Sequence, residues 1–449
     1  MTKANITQYD STPSNNADIN DINIAENCPA SNINNAIREL MAHLKNVDTG
    51  SQAMTSPSFT AMSTDTISEK TSANGVSIDS VTLKDGELGT TASPVPINSS
   101  SLNGGQFGGR RNIIINGAMQ VAQRGTSFTS VTASAYHLDR FQYNLTGTVG
   151  ASTVTQNTVS DLAGFTKSLK VDVTTADASL ASGDRLSLRY AIEGQDLQQV
   201  AKGTSSAEQL TLSFYIKATK TGTQIVELFD IDNSRHCAKS VTINSSNTWE
   251  KKTITYPADT TGAFDNDNAN SLSIFFGLAC GTDFTSGTLA TAWASNTNAN
   301  RFVGQVNHFD STSNNFEITG VQLEVGSVAT PFEHRSFGEE LLLCQRYFQD
   351  FAFSGTNVFP LNPLEGSPNR VPMPQFAPPM RTAPTFVFRD QNNNTGFLTE
   401  FSAGTQTSIT SLGSGTITGI GTGIGGGFLN LGSNLSNPIS MCFKADSEL

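Results

Sequence analysis

Charge is scarce in this sequence, with only 15% Asp, Glu, Lys and Arg, and only 37% of the 449 residues are apolar. An unfolded chain usually replaces hydrophobic residues with charge and proline. This chain replaces them with hydroxyls and amides, so general disorder is not expected. Cations are scarcer still, 27 Lys and Arg against 39 acidic residues, a formal net charge of −12. The longest basic clusters are Arg110-Arg111 and Lys251-Lys252. A nucleic-acid binder would carry a basic patch, so no nucleic-acid partner is expected. No window reaches the ~18 apolar residues of a membrane span, and residues 1–18 lack the basic-then-apolar pattern of an export signal. No membrane insertion is expected. The five cysteines (Cys28, Cys237, Cys280, Cys344 and Cys442) are odd in number and far apart, without CxxC or Cys/His spacing. That pattern excludes a recognisable zinc site and a disulfide framework, and free, half-buried thiols are expected.

What fills the chain is Thr, Ser, Asn and 38 Gly, punctuating alternating Val, Ile, Leu and Phe. This is the composition of exposed β-structure. Residues 1–50 form a first unit, with a helix predicted from about Pro29 to Lys45, where proline suits the helix start. Ile33, Ile37, Leu40 and Leu44 recur at spacings of four, three and four, one stripe at the 3.5-residue period. Two readings stay open: a helix packed on its own lead segment, or a stripe that meets other copies of the chain or a neighbouring protein. A stripe this short is marginal alone in water. Residues 51–110 hold too few large apolar residues for a core. Within them Val76/Ile78 and Val81/Leu83 form two short alternating pairs, bracketed by Asn74-Gly75 and Asp85-Gly86 turn signals. One chain cannot bury such a strand, whereas three intertwined chains could.

Residues 111–335 carry strand-like runs at 112–120, 138–145, 167–173, 185–192, 210–218, 224–229, 249–256, 271–279 and 316–325. Many strands without long helices predict an antiparallel β-sandwich or jelly roll. Residues 336–348 read as a short helix, and the rest of 336–449 as a β-rich tip. The fold class is therefore mainly β: a helical N-terminal segment, a short intertwined β shaft, a sandwich and a tip.

Several motifs resemble one family. Ile6-Thr7-Gln8-Tyr9-Asp10-Ser11-Thr12-Pro13, Asp18-Ile19-Asn20 and Ile33-Asn34-Asn35-Ala36-Ile37-Arg38-Glu39-Leu40-Met41 resemble the virion-attachment end of tailed-bacteriophage tail fibres, and residues 74–86 resemble their shaft motif. Arg111-Asn112-Ile113-Ile114-Ile115-Asn116-Gly117-Ala118-Met119-Gln120 with Tyr136-His137-Leu138-Asp139-Arg140-Phe141 resembles the opening of a phage tail domain that is similar in fold to carbohydrate-binding modules. Its closing signature is Gly320-Val321-Gln322-Leu323-Glu324-Val325-Gly326 through Thr330-Pro331-Phe332-Glu333-His334-Arg335-Ser336-Phe337. The resemblance implies a homotrimer in the virion tail, docked on other tail proteins at its N-terminus. It implies distal domains that recognise host surface polysaccharide or lipopolysaccharide. Ile33, Ile37, Leu40 and Leu44 become candidate trimer or tail contacts. A part made in the host cytoplasm and released by lysis needs no export signal.

Sugars stack on aromatic faces, which makes Trp293, Phe397 and Phe401 candidate glycan contacts; Trp249, in a strand-like run, is expected in the core. Cleavage of polysaccharide would need two positioned carboxylates or an equivalent base. Asp139, Asp184, Glu193, Asp230, Asp232 and Glu324 qualify by residue type, but solvated or capping roles are expected for them, including an Asp139–Arg140 ion pair. No GxSxG elbow is present, and the histidines show no ligand spacing. Asp265-Asn266-Asp267-Asn268 is the one oxygen-rich loop suited to structural calcium, though it lacks an EF-hand's Gly and distal Glu. No other cofactor is expected. The leading expectation is a binding fibre and not an enzyme; the alternatives are a polysaccharide-cleaving tailspike and a purely structural spacer or adaptor.

Overall fold

The computed structural model describes residues 3–49, 51, 110–351, 376–389 and 442–449, together with strand segments at 89–90, 93–94, 101–102, 105–106, 370–372, 398–402, 405–409, 417–418, 428–430 and 439–440. The expected shaft strand at 74–86 lies outside the described residues. The chain divides into two compact units, Met1–Pro96 and Ile97–Leu449.

In the first unit, helix α1 spans Ala30–Asp48 and starts after Pro29 in extended conformation. It ends at Thr49, whose hydroxyl donates to the Lys45 carbonyl at 3.0 Å. The lead segment makes a hairpin of Asp18–Ile19 with Ile22–Asn23. Its two turn residues, Asn20 and Asp21, have φ of 48° and 66°, the left-handed region where Asn and Asp are tolerated best after glycine. The helix turns Ala36 and His43 toward this lead segment, and both are buried. His43 Nδ1 and the Tyr9 hydroxyl are hydrogen-bonded. Ile33, Ile37, Leu40 and Leu44 stay out of that contact and are 52%, 53%, 37% and 56% exposed.

The second unit is built on thirteen strands: β1 Ser127–Val131, β2 Ala135–Leu138, β3 Phe141–Thr146, β4 Ala151–Thr158, β5 Lys167–Thr175, β6 Arg185–Glu193, β7 Leu210–Ala218, β8 Gly222–Asp230, β9 Arg235–Ile243, β10 Glu250–Tyr256, β11 Asn270–Cys280, β12 Ala294–Ser295 and β13 Asn315–Val325. They form a six-stranded sheet, order β10-β7-β13-β5-β4-β1, and a seven-stranded sheet, order β12-β9-β8-β11-β6-β3-β2. Every pairing is antiparallel. The mainly β sandwich predicted from the sequence is thus the observed fold. Period-two alternation sends Leu210, Leu212, Phe214 and Ile216 of β7 and Leu272, Ile274, Phe276 and Leu278 of β11 into one shared core.

Residues 112–120 are not a strand, contrary to the sequence expectation. Their backbone groups find irregular partners instead, Ile113 N donating to the Leu323 carbonyl and Ile115 N to the Tyr190 hydroxyl, and two buried asparagines tie the segment to its surroundings. Asn112 Oδ1 accepts from the backbone N–H of Ile114 and of Leu323, at 3.0 and 3.1 Å. Asn116, at φ 61°, accepts from Val121 N and donates to the carbonyls of Val121 and Asp139. Helix α2 spans Phe337–Gln345 and is capped by Ser336, whose hydroxyl accepts from Glu339 N. Beyond it β14 Phe348–Phe351, β15 Thr385–Arg389 and β16 Cys442–Asp446 form a small sheet in the order β14-β16-β15. Phe351 stacks on Phe443 at 4.6 Å beside Phe376, and Phe348, Phe376 and Phe443 are buried.

Candidate functional site

The two signatures of the sandwich domain interlock. On β13, Val321 and Leu323 enter the core, which turns Gln322 and Glu324 to the opposite face, where both are nevertheless buried. The chain after β13 folds back over them: Glu324 accepts from Thr330 N at 2.9 Å and Gln322 Oε1 from Glu333 N at 2.8 Å. The Glu333 carboxylate then receives the N–H groups of Arg111 and Asn112, each at 2.7 Å. Arg335 donates to the Ile114 and Asn112 carbonyls, and Glu340 accepts from Asn116 N. The motif residues therefore hold two distant segments together.

Their junction leaves a cleft of about 130 Å³ lined by Ala118, Gln120, Phe332, His334, Arg335, Phe337 and Glu340. Its aromatic wall is a cluster in which Phe165 lies 5.1 Å from Phe332 and 5.3 Å from His334, with Phe332 and His334 4.8 Å apart. Phe165 reaches this position because Gly320 (φ +61°) has no Cβ; one built there would lie 2.7 Å from the Phe165 ring. Phe337 is 58% exposed at the cleft. Arg335 and Glu340 face each other at 3.4 Å, and Gln120 donates to Thr166. The exposed His334 ring has no hydrogen-bond partner among the described residues. Aromatic edges beside a free imidazole can hold an apolar ring face and one hydroxyl. Sequence reasoning placed Phe332, His334 and Phe337 in a signature without assigning them to a surface; only the fold brings them to Gln120.

The residues predicted as glycan contacts are not gathered there. Trp293 packs against the sandwich core at the base of its loop. Its indole N–H donates to the Pro257 carbonyl at 2.8 Å, and Lys202 Nζ lies 5.4 Å from its ring. Phe401 falls in the strand Leu398–Ser402, and Phe397 lies outside the described residues. Trp249, expected in the core, is only half-buried. Its N–H reaches Asp161 at 2.9 Å and Lys217 lies over its ring, because it stands at the sheet edge immediately before β10.

The six carboxylates weighed for catalysis all have protein partners. Glu193 is held by Arg346 and Tyr347, and Asp230 by Lys202 at 2.6 Å. Asp184 accepts from Thr148 N and Ala181 N, and Asp232 from Asp265 N. Glu324 takes Thr330. Asp139 does not pair with Arg140: it accepts from Gln123 and lies 3.7 Å from Arg124, while Arg140 turns to Glu448. Burial raises the Asp139 pKa, against the pull of Arg124. In the loop considered for calcium, Asn268 exchanges hydrogen bonds with Arg381 and Asp267 caps Ala269 N. Among the described residues, no group of three or more His, Cys, Asp or Glu is placed to hold a metal ion. Cys28, Cys237, Cys280 and Cys344 are free thiols. Among the described residues, no helix is long and apolar enough to cross a membrane.

No protein-family model matches the sequence, and no curated protein matches it. Similar solved structures include the enzymatically active domain of bacteriophage CBA120 tailspike protein 4, at 15% identity over 48% of this chain and 21% of that one, TM-score 0.24. They also include a family 11 carbohydrate-binding module of a Clostridium thermocellum cellulosomal cellulase, at 15% identity over 45% and 99% of the two chains, TM-score 0.22. A third is a xylan-binding domain from Paenibacillus barcinonensis, at 11% identity over 45% and 94%, TM-score 0.22. The chain thus spans about a fifth of the length of the tailspike domain.

Proposed function

We propose that this chain is a structural and adhesive fibre protein of a phage tail, assembled as a homotrimer. Its N-terminal unit docks on other tail proteins, and its sandwich unit binds a host surface polysaccharide or lipopolysaccharide without cleaving it. The observation that carries the reading is the α1 stripe. The helix packs on its own lead segment through Ala36 and His43 and leaves Ile33, Ile37, Leu40 and Leu44 in solvent. Exposing four large aliphatic side chains in one row costs roughly 25 cal/mol per Å² of apolar surface left in water, so the row calls for a partner. The ordered tail-fibre motifs indicate which kind. The aromatic cleft between the two domain signatures supplies a surface for sugar.

Labelled full-length protein applied to an array of bacterial surface polysaccharides tests the reading, with sugar release assayed in parallel. Retention on at least one polysaccharide with no released fragments is the expected result. Fragment release would make the chain a depolymerase. Failure to bind any polysaccharide or intact cell would reduce it to a structural part.

A further inference from the structure

The cleft beside the Phe165–Phe332–His334 cluster is small. Its volume is about 130 Å³, whereas a pocket that encloses a drug-sized ligand spans about 300–1,000 Å³. A run of sugars does not fit inside it. A single substituent of one sugar does, with the sugar ring itself resting at the mouth. Phe337, more than half exposed there, offers that ring an apolar face.

The lining offers three kinds of contact. Ala118, Phe332 and Phe337 are apolar, and the short Ala118 side chain leaves space that a longer one would fill. Two side chains carry spare acceptors. Glu340 Oε1 is taken by Asn116 N and Arg335, but Oε2 has no partner among the described residues and is not shut off from solvent. Gln120 gives its Nε2 to Thr166 and leaves its Oε1 in the same condition. The donor is His334, whose ring is exposed and free of hydrogen bonds among the described residues; a neutral imidazole carries one N–H. Arg335 and Glu340 face each other at 3.4 Å, so their charges offset and the cleft suits a neutral group. A hydroxyl brings no apolar surface, and a carboxylate would meet two acceptors. An acetamido group satisfies all three kinds at once. Its methyl meets Ala118 and Phe332, its N–H donates to Glu340 Oε2 or Gln120 Oε1, and its carbonyl accepts from His334.

We propose that this cleft reads the acetamido group of an N-acetylated sugar in the surface glycan. The inference rests on the glycan-binding reading and narrows it to polymers that carry such sugars. An O-acetyl ester has the same methyl and carbonyl but no N–H, so it leaves the two acceptors unpaired and binds less well.

The test uses full-length protein and every bacterial polysaccharide of the array that retains it. Each polymer is assayed intact, after chemical de-N-acetylation, and after re-N-acetylation with acetic anhydride. The expected result is retention on polymers with acetamido sugars, weakened about tenfold or more by de-N-acetylation and restored by re-N-acetylation. De-N-acetylation leaves amines, which a chain of net charge −12 attracts, so a loss is not a charge effect. Ala118→Leu, which fills the cleft, and His334→Ala, which removes the donor, should each weaken retention by a similar factor. His334→Gln should restore part of it through its amide N–H. His334 is exposed, so its variants decide if Ala118→Leu fails to fold in thermal melts. Retention on polymers without acetamido sugars, or retention that de-N-acetylation or the cleft variants leave unaltered, overturns the inference while the glycan reading stands. No retention on any polysaccharide or intact cell overturns both.

Discussion

Arg301 and Glu227 form a two-pronged ion pair at 2.9 and 2.6 Å, with His236 adding a hydrogen bond to the same carboxylate. The Arg301 guanidinium lies near the rings of Phe229, Phe275 and Phe302, at 4.7, 5.3 and 5.6 Å from their centres. Removing one partner strands the other charge, so Arg301→Ala should cost about 3–5 kcal/mol in chemical denaturation. His308 gives a second residue-scale prediction. Its Nε2 donates to Gln224 Oε1, and burial, followed by the nearby Lys220 charge, lowers its pKa from 6.5 to about 3. The unfolded chain binds the proton first as pH falls. The stability owed to neutral His308 is therefore complete above pH ~6.5 and is lost progressively as pH falls toward 3. His308→Gln should lose less stability than the parent between pH 6.5 and 4.5 in thermal melts; an identical loss would contradict this assignment. Phe337, by contrast, is exposed, and Phe337→Ala should change stability by under ~0.5 kcal/mol while weakening glycan retention. Little of this was legible in the sequence. The residue types of Glu227, Arg301 and His236 were visible, but their 74- and 9-residue separations carry no local pattern. The carboxylates considered for catalysis found their partners in the same non-local way.

The strands were legible wherever one face is strictly apolar, as in β7 and β11. They were hidden where burial is polar or the strand is thinly apolar. Strand β9 carries Arg235, His236 and Lys239, and its outward His236 is buried by a loop and not by alternation. Strand β4 offers only Val154 as a large apolar side chain among threonines. The opposite error befell residues 112–120, where three consecutive isoleucines suggest a strand but Asn112 and Asn116 hold irregular backbone. Asn116→Ala should therefore destabilise by about 1–3 kcal/mol, the cost of leaving buried backbone groups unpaired, measurable as a lowered denaturation midpoint. For α1, the predicted start was right and the helix runs three residues further than expected, to Asp48. Its stripe makes a sharper test: Ile37→Glu with Leu44→Glu should lower the oligomeric mass and leave the sandwich melting transition in place.

In the Ile97–Leu449 unit, the last residues of the chain are fastened to the sandwich. Arg140, fully buried, reaches Glu448 and donates to the Ala191 carbonyl at 2.5 Å, and its guanidinium lies 3.4 Å from the Tyr347 ring centre. Burial opposes that charge, but Glu448 together with Tyr347, Tyr190 and Tyr136 outweighs it, so the Arg140 pKa stands above its ordinary value. Arg124 bridges to Asp446 and Glu448 while resting 3.7 Å from the Phe348 ring centre. Tip and sandwich should therefore melt together, so that Arg140→Ala lowers one shared transition.

At the scale of the whole molecule, the central claim is the proposed trimer, in which three chains would share what one chain leaves exposed. Sedimentation equilibrium of the intact chain tests it most directly. The account predicts a mass three times the 47.7 kDa of one chain, reduced by the paired α1 substitutions. A monomer at micromolar concentration, with the α1 stripe still in solvent, would contradict it.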